Sequence, residues 1–400
     1  MQQRLLSNWI ESYLHFTRHD ESPEQFHRWT AYTILAAAVN RNIWMSTRGY
    51  YKLFPNLYVL FIGPSGVGKS SSSGIGVEVL RETTLKVNIY KDFITPPALM
   101  EFMSRSSVST EFQFGGKTVI TQKTPLLLYA SELGNLLSIR SGIRELTLLL
   151  TELFNKQGDH EDTTNKRGTI KIKKPSVTFF ACCFPEWIEE ELVSISLRSG
   201  FLGRMLVVTG NAKRHRSSSI KLTPQDMTLR KALIHDLEII GALYGEFKWS
   251  PDAETMWDTW YNDQPMDMSS DGMEIAGFGS RREQFAQRLA MLTAVGRGND
   301  PIIEVSDLKT GIGMVSYCER NIKKMGSSSD EYKTTAKVKK NLTTFCKHVP
   351  HTEIDLGLLM KRVSKWANKR KLEEVLDQLS LEGFINVRGR KIIIEGPFED

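Results

Sequence analysis

The chain has 400 residues, of which 40% are hydrophobic and 24% are charged, and its formal net charge is +6. This length suits two or three domains, and the composition is that of an ordinary globular protein with an ample core. No apolar run approaches the ~20 residues of a membrane-spanning helix, and the N-terminus lacks the apolar segment of a signal peptide. The four cysteines form no spaced framework, which suits a reducing compartment. We therefore expect a cytoplasmic protein without a membrane partner.

The N-terminal region has the pattern of two helices. Apolar residues at helical spacing predict the first over residues 3–17. The second begins with Ser22 as N-cap, Pro23 at the first helical position and Gln25 completing a capping box, and it runs to about Asn40. These helices show no chemistry of their own, so we expect them to pack beside the core.

An aromatic segment separates these helices from the first clear motif. A short strand over residues 42–46 leads into a loop, residues 50–55, that holds two tyrosines and a phenylalanine. Such side chains either pack in a core or stack on a planar ligand such as adenine. The sequence favours packing.

A glycine-rich loop between a strand and a helix is the clearest motif. Residues 58–62 are apolar and rich in β-formers, and a helix-compatible run extends from Ser71 to Glu82. Glycines let successive backbone N–H groups cradle a phosphate, and the positive end of the helix adds to the attraction. The residues predicted to bind a nucleotide are Gly63, Pro64, Ser65, Gly66, Val67, Gly68, Lys69, Ser70 and Ser71.

The end of this loop carries two side chains with specific predicted roles. Lys69 would reach the β- and γ-phosphates, and the hydroxyl group of Ser70 would bind Mg²⁺. The predicted cofactors are therefore ATP and Mg²⁺. The run of serines after Lys69 is a poor helix former, which weakens only the first turn.

Beyond the loop, strands alternate with helices, which indicates an α/β fold with a parallel sheet. The wholly apolar run 125–130 is typical of a central parallel strand. The remaining predicted elements are strands at 86–90, 176–183 and 205–209, a helix opened by 95–98, a hairpin over 111–121 and a helix over 142–156.

An acidic residue follows the apolar strand 125–130. ATP hydrolysis needs a base, or a group that orients water, near the γ-phosphate, and we expect a strand adjacent to the loop strand to supply it. Glu132 lies where this acid is expected. The usual pattern is Asp-Glu, and here Ser131 replaces the aspartate and can still bind a metal-bound water.

A second candidate catalytic residue precedes the last strand of the sheet. Arg204 is positioned where it could reach the γ-phosphate of a neighbouring subunit and stabilise transition-state charge. Arg198 is the alternative for this role, and an ordinary surface arginine is the competing interpretation.

The remaining sequence divides into a helical region and a final module. A basic connector over 213–219 marks the end of the core, and helices are predicted from 223 to 244, from 250, from 280 to 294 and from 306 to 324. A linker at 326–330 follows. The predicted domains are 1–50, 51–212, 213–328 and 329–400.

The final module has the pattern of a winged helix. Helices near 332–347, 355–362 and 368–383 precede a glycine-centred hairpin over 384–394. Winged helices bind DNA or mediate protein contacts, and the basic residues favour nucleic acid. These residues are Lys361, Arg362, Lys365, Lys369, Arg370, Lys371, Arg388, Arg390 and Lys391.

The ordered set of motifs resembles AAA+ ATPases, and within them the P-loop proteins of phages and mobile elements related to replicative helicases. The resemblance covers roughly residues 25–325. Besides the glycine loop, it is carried by the segments Pro55–Val59, Ser131–Leu133, Pro185–Trp187 and Gly200–Arg204.

This resemblance implies further roles. The segment that begins at Arg281 is similar to the second-sensor helix of minichromosome-maintenance-type helicases, so Arg281 is expected to contact nucleotide, with Arg282 as the alternative. At the first-sensor position stand Cys182 and Cys183. A thiol is a weak hydrogen-bonding group, so a pair of buried core cysteines is the preferred interpretation.

A basic hairpin is the expected nucleic-acid contact. Residues 165–174 alternate around a glycine, which predicts a β-hairpin, and the resemblance places such a hairpin in the channel of a ring. There Lys166, Arg167, Lys171 and Lys173 would hold backbone phosphates. A solvated surface hairpin is the competing interpretation, and the 111–121 hairpin is a second candidate.

Together these expectations describe an ATP-dependent DNA helicase in a bacterial host cell. The resemblance implies a homo-oligomer in the form of a hexameric ring. One DNA strand would lie in its channel, and duplex DNA would bind at the winged helix. The alternative is an initiator or helicase loader that uses ATP as an assembly switch. A small-molecule kinase is a third class, and it would explain neither the basic hairpin nor the winged helix.

Overall fold

The computed structural model divides the chain into two compact units, residues 1–322 and 323–400. No helix among the described residues is long and apolar enough to cross a membrane. The described residues are 3–47, 49–91, 95–114, 116–136, 140–164, 168–185, 200–264, 277–324, 353–363, 372–373, 376, 380, 385–388 and 391–394.

The first unit begins with two helices, α1 (Trp9–Phe16) and α2 (Glu24–Val39). The first starts later than predicted because the side chain of Asn8 caps it by accepting the backbone N–H groups of Ile10 and Glu11. The predicted capping box at Ser22 is wrong, since Pro23 occupies the N-cap position without a side-chain cap.

A parallel sheet forms the centre of the first unit and confirms the predicted mixed α/β fold. Its strands are β3 (Tyr58–Ile62), β4 (Asn88–Lys91), the second half of β6 (Lys117–Ala130), β9 (Pro175–Cys183) and β10 (Leu206–Thr209). They follow the order β10-β3-β9-β6-β4, and every neighbouring pair is parallel. Strands β3 and β9 are wholly buried, as expected for apolar strands covered on both faces.

Helices connect these strands. They are α3 (Lys69–Arg81), α4 (Pro96–Arg105), the short α5 (Leu133–Leu136) and α6 (Arg140–Leu153). Thr95 caps α4 and proline occupies its first turn, which agrees with the predicted helix start. Helix α2 packs against α3, so the N-terminal helices lie on the same body as the sheet.

Two antiparallel hairpins extend from the sheet. The first pairs β5 (Val108–Phe114) with the first half of β6, and the second pairs β7 (His160–Thr164) with β8 (Gly168–Ile172). The sequence predicted a hairpin and a separate strand where β6 is continuous. Its first half alternates in burial while its second half is buried throughout, which explains why one strand has two patterns.

The later part of the first unit is mainly helical. Its helices are α7 (Pro224–Gly241), α8 (Pro251–Asn262), α9 (Arg282–Arg297) and α10 (residues 305–324). Short strand pairs accompany them: β1 (Ile43–Thr47) pairs with β2 (Tyr51–Leu53) and β11 (Gly245–Glu246), and β12 (Lys248–Trp249) pairs with β13 (Ile302–Ile303).

Helix α9 is joined to the sheet by a buried arginine. Arg288 is 1% exposed, and it donates hydrogen bonds to the backbone and side-chain oxygens of Asn56 and to the side chain of Asn155. Its guanidinium group also lies 4.4 Å from the centre of the Phe154 ring. These contacts join the helical region to the core. The predicted boundaries at residues 50 and 212 remain predictions.

The second unit is described only in part. It holds β14 (Glu353–Asp355), α11 (Leu356–Val363), β15 (Ile385–Arg388) and β16 (Lys391–Ile394), with strand order β14-β16-β15. The predicted helix near 355–362 and the predicted terminal hairpin agree with these elements. The helix predicted over 332–347 and most of that over 368–383 lie outside the described residues, so the winged helix remains a prediction.

Candidate active site

The glycine loop follows the carboxyl end of β3, as the sequence predicts. Gly66 and Gly68 have φ angles of +76° and +97°, which L side chains rarely adopt. Gly63 is required for a different reason, because a Cβ atom there would lie 2.2 Å from the carbonyl oxygen of Gly210. The loop leads directly into α3, so backbone N–H groups at the helix N-terminus are available to bind an anion.

A cleft of about 420 Å³ surrounds this loop. It brings together most of the residues that the sequence assigned to nucleotide, water activation and metal. It also includes residues that the sequence did not assign. The lining residues are Asp20, Glu21, Ser22, Ser65, Gly66, Gly68, Lys69, Ser70, Ser71, Ser131, Glu132, Phe184, Lys213 and Ile220.

Lys69 and Glu132 are the two charged residues predicted to act in this cleft. The ammonium group of Lys69 donates to the carbonyl oxygens of Gly63 and Pro64, the latter at 2.9 Å. Partial burial raises the pKa of Glu132, while Lys69 and a backbone hydrogen bond from Gly134 lower it. A carboxylate whose pKa is raised is a better proton acceptor than an ordinary one, as activation of water requires.

The position of Glu132 corrects one detail of the sequence prediction. We expected its strand to lie next to the loop strand, but β9 lies between β3 and β6. Adjacent strands are ~4.8 Å apart, so the loop strand and the acid strand are separated by about 10 Å. Phe184, which directly follows β9, also lines the cleft.

The cleft contains oxygen donors that fit Mg²⁺. Ser70, Ser131 and Glu132 all line it and offer hydroxyl and carboxylate oxygens. Mg²⁺ prefers oxygen ligands and commonly binds through one or two protein groups together with phosphates and waters. No cluster of three or more His, Cys, Asp or Glu residues that could hold a metal is found in the described part of the chain.

The cysteine pair lies in the core, as the preferred interpretation states. Cys182 and Cys183 are fully buried, and burial raises the pKa of Cys182 to about 12. The Cys182 Sγ atom lies 3.6 Å from the hydroxyl group of Ser73, which is 2.9 Å from that of Tyr129. These polar contacts join α3 to β9 and β6 beneath the nucleotide loop.

One wall of the cleft comes from the N-terminal region, which the sequence did not assign to the site. The Ser22 hydroxyl donates to the carbonyl oxygen of Gly68, and Asp20 accepts a hydrogen bond from Ser71. Burial opposes ionisation of Asp20, but hydrogen bonds from His27 and Ser22 outweigh it and hold the pKa of Asp20 well below its usual range. Asp20 is therefore ionised at neutral pH.

The basic connector after β10 completes this wall. Lys213 forms an ion pair with Glu21, and the Arg214 guanidinium group donates to the backbone carbonyl oxygens of Asp20 and Thr17. An acidic pair near the N-terminus and a basic run after the core were the only sequence signals for this contact. Their separation by about 190 residues prevented their pairing from being recognised.

The two candidate arginines lie together and do not line this cleft. The 3-10 turns Leu202–Arg204 and Gly279–Arg281 contact each other. Burial, and then the nearby charge of Arg281, lower the pKa of Arg204 to about 10. Arg204 instead lines a separate cleft of about 1090 Å³.

One of the two alternative arginines, Arg282, is engaged elsewhere in the structure. Arg282 donates to the side-chain oxygen of Gln264 and forms an ion pair with Glu319, so its charge is satisfied within the chain. Arg198 lies outside the described residues. The assignments of Arg204 and Arg281 remain predictions.

Ion pairs with acidic residues neutralise the lysines in the stem of the basic hairpin. Lys171 forms ion pairs with Glu161 and Asp159, and Lys173 forms one with Asp159. The register places Glu161 directly opposite Lys171. Lys166 and Arg167, which come between β7 and β8 in the sequence, lie outside the described residues.

No family model matches the chain, and the search of curated proteins finds no match to it. The geometry of the cleft and the sequence resemblance are therefore what support the function proposed below.

Proposed function

We propose that this protein is an AAA+ type, ring-forming DNA helicase or translocase that hydrolyses ATP and serves DNA replication of a phage or mobile element. The observation that carries the proposal is the pairing of Lys69 and Glu132 across one cleft, at the ends of strands separated by β9. A phosphate-binding loop and a water-activating carboxylate on opposite sides of a gap of this width are what hydrolysis of a bound triphosphate requires.

Each cleft residue has a role in this proposal. The backbone of residues 63–68 and the N-terminus of α3 bind the phosphates, and Lys69 compensates their charge. Ser70 would hold Mg²⁺ through its hydroxyl group, and Ser131 would help to hold it through a water. Bound Mg²⁺ would neutralise phosphate charge. Glu132 accepts the proton of the attacking water.

The position of the arginines supports the proposal that the protein forms oligomers. Arg204 and Arg281 lie side by side although their positive charges repel, and the Nε atom of Arg204 is buried without a partner among the described residues. A phosphate group from a neighbouring subunit would compensate this repulsion. We therefore propose that both arginines act on the nucleotide of the next subunit in a hexameric ring.

DNA contact is assigned to the tip of the β7–β8 hairpin. Ion pairs already engage Lys171 and Lys173, so they contribute less to phosphate binding than the sequence suggests. Lys166 and Arg167, in the turn, are the remaining predicted cations of this hairpin. The predicted winged helix would add a contact to duplex DNA.

The initiator or loader remains the second candidate function. Neutralisation of the stem lysines favours it, because a hairpin with few available charges fits a protein that assembles on DNA better than one that moves along it. An initiator would show slow ATP turnover that depends little on DNA length.

The test is an ATPase and unwinding assay with purified protein. A helicase is expected to hydrolyse ATP faster when single-stranded DNA is added and to open a forked duplex. ATP hydrolysis that ignores DNA, together with no strand separation, would contradict the assignment.

A further inference from the structure

The β1–β2 hairpin presents two exposed tyrosines at its tip. Tyr50 is 88% exposed and Tyr51 is 64% exposed, whereas Leu53 and Phe54, which follow in the chain, are buried. The sequence favoured packing for this aromatic segment, and that interpretation is wrong for both tyrosines. Tyr51 lies on the same strand face as Leu53, but at the tip this face projects beyond the core.

Neither tyrosine ring stacks on another aromatic ring in the described part of the chain. Two adjacent aromatic rings held open to solvent on a hairpin tip offer flat faces to a ligand. Unpaired nucleic-acid bases stack on such faces, and this stacking tolerates any base because every base has a π-face.

The charge around the two rings favours a polyanion. Residues 43–57 include Arg48 and Lys52 and no acidic residue. The Lys52 ammonium group lies 3.9 Å from the centre of the Trp44 ring and forms no ion pair with a described residue. The one acidic residue in this small sheet is Glu246, on β11, and β1 separates that strand from β2.

A second observation connects this hairpin to the proposed DNA-contacting hairpin. The Gln157 side chain donates to the carbonyl oxygen of Lys52 at 2.9 Å and accepts from its backbone N–H group at 3.3 Å. Gln157 lies two residues before Asp159, which pairs with Lys173 at the base of the β7–β8 hairpin. The β1–β2 hairpin is thus fixed at Lys52, next to Tyr51, to the segment that leads into the base of the β7–β8 hairpin.

We propose that Tyr50 and Tyr51 stack on unpaired bases of single-stranded DNA, and that Lys52 contacts an adjacent backbone phosphate. This inference depends on the proposed function as a DNA-binding ATPase and adds a second contact for the same strand. It predicts that binding depends on aromatic rings at these positions and not on their hydroxyl groups.

Fluorescence anisotropy with a labelled oligo(dT) strand tests the proposal. The double variant Tyr50→Ala/Tyr51→Ala is expected to bind roughly 100-fold more weakly, since each lost stacking contact costs about tenfold in affinity. The variant Tyr50→Phe/Tyr51→Phe is expected to bind within about twofold of the unmodified protein. Tyr261→Ala, at a tyrosine that is 41% exposed on α8, is the matched control and should leave binding unchanged.

The outcomes separate this inference from the proposed function. Equal binding by the unmodified protein and the double alanine variant would overturn the proposed stacking of the tyrosines on DNA bases and leave the helicase proposal intact. Loss of binding in the Tyr→Phe variant would also overturn it. An unmodified protein that binds no DNA would contradict the proposed function itself. If the double alanine variant binds DNA normally but sediments as a smaller oligomer than the unmodified protein, stacking is overturned and the tyrosines belong to a subunit contact.

Discussion

The cleft around the glycine loop and the β7–β8 hairpin both contain lysines, but the partners of these lysines differ. In the cleft, Lys69 and Glu132 line one cavity of about 420 Å³ from separate elements. In the hairpin, Lys171 is already paired with Glu161 across the two strands. Lys171 is therefore held by a carboxylate of its own chain, whereas the ammonium group of Lys69 is held by backbone carbonyl oxygens of the glycine loop.

The largest effects are expected from the cleft. Glu132→Gln removes the proton acceptor but keeps the shape of the side chain, so we expect ATP hydrolysis to fall about 100- to 10,000-fold while ATP binding persists. Lys69→Ala should weaken binding as well as hydrolysis. Equilibrium binding of a fluorescent ATP analogue and steady-state phosphate release measure the two properties separately.

The pH dependence of ATP hydrolysis by the unmodified protein is a second test of the role of Glu132. Burial raises the pKa of Glu132, so the active ionised form should be lost as pH falls, at a higher pH than for an ordinary carboxyl group. A Glu132→Gln variant with unmodified hydrolysis would show that another group activates the water.

A smaller effect, on stability and not on chemistry, is expected from a charge satisfied within the chain. Arg288→Met removes a buried guanidinium group and leaves oxygens of Asn56 and Asn155 without a hydrogen-bond donor. We expect the free energy of unfolding to fall by about 2–4 kcal/mol, measured by urea denaturation. Arg81→Met, which breaks an exposed pair with Glu78 on α3, is the control and should cost about 1 kcal/mol or less.

If both variants lose the same stability, Arg288 does not join α9 to the core in the way that its contacts indicate.

The smallest expected effect comes from comparing the tip and the stem of the hairpin. The double variant Lys166→Ala/Arg167→Ala should reduce the salt dependence of single-stranded DNA binding by about 1.4 in the slope of log K against log salt, because two phosphate contacts are lost. Lys171→Ala/Lys173→Ala should change this slope by less. Titrations at several salt concentrations measure both variants, and equal slopes would show that the stem ion pairs open when DNA binds.

The sequence was sufficient for features that depend on neighbouring residues. The strand, the glycine loop and the start of α3 form one continuous segment, so the position of Lys69 at the start of this helix agrees with the prediction. The apolar run 125–130 likewise placed Glu132 at a strand end. Local patterns of this kind need no knowledge of the remaining fold.

Features that depend on distant contacts were not predictable in this way. Strand β9 lies between β3 and β6, and its pairing with β3 joins segments that are more than 100 residues apart in the chain. Ser22 matched a capping pattern, but its hydroxyl group bonds to Gly68 instead, because a tertiary contact replaced the local one. The Glu161–Lys171 pair was accessible from the sequence, since the hairpin register aligns the two residues.

Mixing two inactive variants tests most directly the claim that two subunits share each ATP site. Lys69→Ala disables the cleft of its own subunit, and Arg204→Ala disables the site of the neighbouring subunit. A mixture of the two proteins should regain ATPase activity, because some interfaces combine an intact Lys69 from one subunit with an intact Arg204 from the other. A mixture as inactive as either variant alone would contradict the shared site and would show that Arg204 acts within its own subunit.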